Sequence, residues 1–74
     1  MIDKISALEL RSVATGGGSL HVNGAAYSAI DLRSVATGLK PGGILIVSNS
    51  SCFTSVDMRS IATGSTDGAT VLFQ

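Results

Sequence analysis

The residues able to do chemistry in this chain are few and scattered. His21 is the single histidine and Cys52 the single cysteine. Neither has a second His, Cys or carboxylate at ligand spacing, so a zinc site cannot be composed from them, and one thiol cannot close an internal disulfide. His21 is expected as a half-exposed polar residue on a strand. Cys52, beside Phe53 and just before a helix cap, is expected as a partly buried structural thiol. Serines and threonines are plentiful, but none has a base within its own motif, and one histidine cannot complete a nucleophile triad. Gly16-Gly17-Gly18-Ser19 has the composition of a phosphate cradle, yet such loops lead from a strand into a helix, and this one leaves a helix for a strand. Enzymatic chemistry is not expected, and no cofactor or metal is implied.

One set of chemical groups does recur. Arg11, Arg33 and Arg59 follow one another at steps of 22 and 26 residues. Stacked units would align them as a ladder beside Glu9, Asp31 and Asp57. Three aligned guanidinium groups could bind carboxylates or phosphates on a protein partner; the plainer reading is a solvated helix face with alternating charge. Five basic residues balance five acidic ones, for a formal net charge of zero. With the basic residues dispersed, nucleic acid and anionic membrane are not expected as partners. No apolar run approaches the roughly 20 residues of a membrane span, and the start lacks the basic-then-apolar layout of a secretory leader, so the expected address is cytoplasmic.

The arginines belong to a larger repeat. Leu10-Arg11-Ser12-Val13-Ala14-Thr15-Gly16 returns as Leu32–Gly38 and, with two conservative changes, as Met58–Gly64. Each copy carries helix signals. Ser6, Ser28 and Thr54 stand three residues before Glu9, Asp31 and Asp57, the spacing of a capping box. Ile5, Tyr27 and Phe53 precede those caps, with Leu10, Leu32 and Met58 four residues beyond them, the spacing of a hydrophobic staple. Gly16, Gly38 and Gly64 are expected to end the helices in the left-handed conformation. Helices this short hold only when packed, and Leu8, Val13, Ala14 and their equivalents are expected against a sheet. The strand candidates are Ser19–Asn23, Ile44–Ser48 and Thr70–Gln74, each entered through a Gly-rich turn.

The expected fold is α/β: three αβ repeats, over about residues 1–23, 24–49 and 50–74, forming a short single-wound solenoid. Its parallel three-stranded sheet carries the helices on one face, because right-handed crossovers between sequential strands place them together. In its cap-to-glycine helices, repeat length and strand-plus-helix alternation the chain resembles small bacterial βα-repeat proteins with a leucine-rich-repeat-like solenoid. That resemblance implies a binding or assembly scaffold, and a short side-chain ladder formed by Asn23 and Asn49. Lys40-Pro41-Gly42-Gly43-Ile44-Leu45-Ile46-Val47 also resembles the turn and strand that follow the acidic motif of class I methyltransferases, but the cofactor-binding loops of that family are missing here.

A sheet covered on one face leaves the other bare. With Asn23 set beside Asn49, Ser19, Leu45 and Val71 align, as do His21, Val47 and Phe73, while Leu20, Ile46 and Leu72 point the opposite way. The bare face is then expected to carry Leu45, Val47, Val71 and Phe73, or Ile46 and Leu72 if the faces are reversed. Together with Leu20 and His21 on the strand edge, these residues are the expected self-association surface. A further step of 26 from Arg59 falls on Arg11 of a following copy, so β-edge pairing between copies is expected, giving a filament, ring or dimer. A small module or regulator that binds a cellular protein is the alternative.

Overall fold

All three helices start where a hydroxyl stands three residues before a carboxylate. In the computed structural model, which describes residues 1–74, α1 spans Ala7–Thr15, α2 Ala29–Gly38 and α3 Ser55–Thr63. The side-chain oxygens of Ser6, Ser28 and Thr54 accept the backbone N–H of Glu9, Asp31 and Asp57, each at 3.2 Å. Only at Thr54 is the bond returned, its N–H donating to Asp57 Oδ2 at 3.3 Å. Each such cap is worth about 1 kcal/mol, enough to set where a short helix begins but not to hold it.

The strands β1 (Leu20–Asn23), β2 (Ile44–Ser48) and β3 (Thr70–Phe73) form one open parallel sheet in the order β1-β2-β3. Between β2 and β3 the register is the expected one, and between β1 and β2 it differs by a single residue. Leu20 lies beside Leu45 and Leu45 beside Val71; Val22 lies beside Val47 and Val47 beside Phe73. Asn23 is opposite Ser48, not Asn49. Asn49 is an extra residue between β2 and the next helix, and its backbone is left-handed, with φ of 56°. The longer second step of the repeat comes mostly from the helix-to-strand connection. Arg11 to Leu20 spans nine positions, against twelve for Arg33 to Leu45 and Arg59 to Val71; Asn49 supplies the remaining residue.

The one-residue slip brings Leu20 and Val22 onto the face of Leu45, Val47, Val71 and Phe73. The helices cover that face, which leaves Ile46 and Leu72 on the open one, the reversed of the two expected assignments. Leu20, Val22, Leu45 and Val47 are buried under the helices, in one core with Leu10, Ala14, Leu32, Val35, Ala36, Leu39 and Ile61. Val71 and Phe73 are half-buried against that same core. Five of the six residues expected to mediate self-association, Leu20, Leu45, Val47, Val71 and Phe73, therefore face inward. Only His21 is on the open face. Burying a Leu, Ile or Val side chain is worth about 1.5–3 kcal/mol, so this core dominates the caps in holding the helices. Leu8 is 81% exposed, contrary to its expected place in the core.

The outer edge of β1 is not bare. Ile2 bridges to Val22 in parallel fashion, its N–H donating to His21 O at 2.7 Å and its carbonyl accepting from Asn23 N–H at 2.8 Å. After β3, Gln74 N–H bonds Val47 O at 2.8 Å, and Gln74 O accepts from the Ser50 N–H at 3.1 Å and hydroxyl at 2.7 Å. No helix is long and apolar enough to cross a membrane.

Candidate interaction surfaces and the seam between units

The repeated motif is explained by how one helix sits on the next. Arg11 Nη1 donates to Ser34 Oγ at 3.1 Å, and Arg33 Nη1 donates to Ser60 Oγ at 3.0 Å. Each arginine of the ladder thus reaches a serine of the following unit. A Cβ at Gly38 would lie 3.0 Å from Arg11 Cγ and 3.2 Å from Thr15 Cγ2; at Gly64 it would lie 2.6 Å from Arg33 Cγ. Thr37 Oγ1 closes the second seam by donating to Gly64 O at 2.9 Å. At Gly38 and Gly64 the small residue makes room for the neighbouring arginine stem and is not needed for a left-handed backbone. Gly16 and Gly64 have φ of −78° and −71°, Gly38 is the last residue of α2, and the left-handed residue after α1 is Gly17 at 94°. The expected left-handed caps at Gly16, Gly38 and Gly64 are therefore corrected. Arg59 extends from α3, which has no further helix beside it in this chain.

The open face of the sheet presents His21, Ile44, Ile46 and Leu72, with Ile44 39% and Leu72 46% exposed. Across its end runs a polar row. His21 Nε2 meets Ser48 Oγ at 2.5 Å, and Ser48 Oγ donates to Gln74 Oε1 at 3.3 Å. A Ser–His contact is the first element of a nucleophile–base pair. Here Nδ1 has no hydrogen-bonding partner, so the group that would orient the base of such a pair is missing. Sequence reasoning missed this contact because the two residues are 27 positions apart and meet only through the register.

A third surface was unforeseen. Leu8, Ile30 and Val56 occupy the same place in the three units, directly before Glu9, Asp31 and Asp57, and are 81%, 82% and 74% exposed. They form an aliphatic row across the outside of the helix layer. Cys52 is exposed, its Sγ donating to Asn49 O at 3.2 Å, which corrects its expected partial burial. The Asn ladder is present, with Asn49 Nδ2 donating to Asn23 Oδ1 at 2.9 Å. The surface has no pocket, and no group of three or more His, Cys, Asp or Glu side chains is gathered closely enough to hold a metal. No protein-family model matches the chain, and searches of curated proteins and of solved structures return no match.

Proposed function

We propose that the chain is a non-enzymatic structural protein, a short solenoid of three αβ units that acts by associating with further copies of itself. The observation that carries this reading is the open sheet face. All-parallel sheets occur almost only with both faces covered, and here Ile44, Ile46 and Leu72 remain in water on one side. Sheet-to-sheet packing of two copies would cover them and give helix–sheet–sheet–helix layers. Sedimentation velocity over a dilution series tests the reading. The wild type should grow with concentration, and Leu72→Lys should weaken that growth while leaving the helical circular dichroism unchanged. A chain that stays monomeric at millimolar concentration would count against it.

The row Leu8, Ile30 and Val56 favours a second reading, a module whose helix layer docks on an apolar strip of another protein. A photocrosslinker at position 56 should then trap a distinct cellular protein, and Ile30→Lys should abolish that product without altering self-association.

A further inference from the structure

The seam between units has two unlike halves. The side of α2 and α3 turned to the preceding helix carries a serine and a glycine: Ser34 and Gly38, then Ser60 and Gly64. The side of α1 and α2 turned to the following helix carries an arginine, Arg11 and then Arg33. Val35 and Ile61 directly follow those serines, and Ala14 and Ala36 stand three positions after those arginines, next to the seam by helical position. Burial separates the used halves from the unused ones. Val35 and Ile61 are fully buried, whereas Val13 is 45% exposed; Ala14 and Ala36 are fully buried, whereas Ala62 is exposed. Ser34 and Ser60 are half-buried and Ser12 exposed; Gly38 is buried, Gly64 half-buried and Gly16 exposed. The outer side of α1 therefore displays an intact acceptor half and the outer side of α3 an intact donor half. They lie on opposite flanks of one molecule and cannot meet within it.

We infer that a second copy of this chain brings them together, α1 of one copy packing on α3 of another as α3 packs on α2. Arg59 then donates to Ser12 of the second copy, whose Gly16 seats on the Arg59 stem, while Ala62 and Val13 become buried. Gly16 is the telling residue. A Cβ there would meet only Ser12 O and Val13 O, both at 3.5 Å, so nothing in the single chain requires a glycine. The same placement sets β3 against the outer edge of β1 of the second copy. Ile2 holds that edge with two hydrogen bonds, and the four-residue β3 offers it a longer ladder in exchange. Such a contact is heterologous, so it propagates head to tail unless rotation closes a ring.

The inference rests on the self-association reading but uses a different surface, so the two fail separately. In sedimentation velocity, Gly16→Leu and Arg59→Glu should each weaken association by at least about tenfold, with helical circular dichroism unchanged. Each variant retains one intact half. Mixed in equal amounts, at concentrations where both alone are monomeric, they should form a dimer that grows no further. Assemblies that persist unchanged in both variants but dissociate in Leu72→Lys would overturn the head-to-tail contact and leave the sheet-face reading standing. A mixture that stays monomeric would also overturn it.

Discussion

Asn49 Nδ2 lies 2.9 Å from Asn23 Oδ1 although the two residues are not opposite one another across the sheet. The left-handed backbone of Asn49 turns its side chain back toward the first unit, and Asn23 Oδ1 also accepts from Ala25 N–H at 3.0 Å, opening the 3-10 turn Gly24–Ala26. One carbonyl oxygen thus joins two units and starts a turn. Asn49→Ala should lose the bond and strain the left-handed position, costing about 2 kcal/mol; Asn49→Gly should lose only the bond, costing about 1 kcal/mol. Urea midpoints of the two variants check the order, and equal losses would remove the backbone contribution.

The seam glycines should differ sharply in what they tolerate. Gly64→Ala places a methyl group 2.6 Å from Arg33 Cγ and should destabilise the chain by about 1–3 kcal/mol, as overpacking does. Gly16→Ala meets nothing closer than 3.5 Å and should be neutral or stabilise α1 by up to about 1 kcal/mol, since alanine costs less helix entropy. Thermal unfolding by circular dichroism, recorded at a dilution where the chain is monomeric, measures both.

Lysine on the two faces of the sheet should give opposite results. Val47 is fully buried beneath the helices, so Val47→Lys places a charge in the core at a cost above about 4 kcal/mol, enough to unfold a domain of this size. Leu72→Lys adds the charge to the open face and should leave the fold intact. Far-ultraviolet circular dichroism distinguishes them, and a folded Val47→Lys chain would contradict the placement of Val47 on the covered face.

Tyr27, the only tyrosine, reports on the junction between the first two units. Its hydroxyl donates to Ile5 O at 2.6 Å. Burial first, then the Asp3 and Glu9 carboxylates, disfavour the phenolate and raise its ionisation above that of a free tyrosine. The folded state therefore keeps this proton after the unfolded chain has lost it. The stability due to Tyr27 is fully present below about pH 10 and is lost as pH rises through the folded-state value. Absorbance titration should show a higher midpoint in native buffer than in urea, and Tyr27→Phe should flatten the alkaline fall in stability.

How much of this was legible in the sequence follows from the range of each interaction. The three caps were readable because a hydroxyl and the N–H it accepts are three residues apart, and the alternation of helix and strand followed from them. The covered face was not, because Ile44-Leu45-Ile46-Val47 is apolar at both parities and leaves no periodic clue to which side is covered. Aligning the two asparagines was a sound reading of their contact and a wrong reading of the ladder, because one left-handed residue separates the two. The glycines carried a local meaning, helix termination, that concealed a tertiary one: each arginine stem needs room on the next helix. Leu8 and its equivalents looked like core residues by type alone, but Leu8 and Ile30 stand two positions before the buried Leu10 and Leu32, about 200° around the helix, and so face outward.

Each layer is built from neighbour contacts alone, α1 on α2 on α3 above β1 beside β2 beside β3. Each strand closes on its predecessor across 25 or 26 residues, so both pairings carry nearly the same loop-closure entropy and neither has a built-in kinetic lead. The middle unit takes part in both. A folding nucleus, whichever pair begins it, contains α2 and β2, and native-state opening proceeds inward from the flanks. Amide exchange should accordingly be slowest in β2 and fastest in the flanking strands, with protection graded by position along the row of units and little by sequence composition.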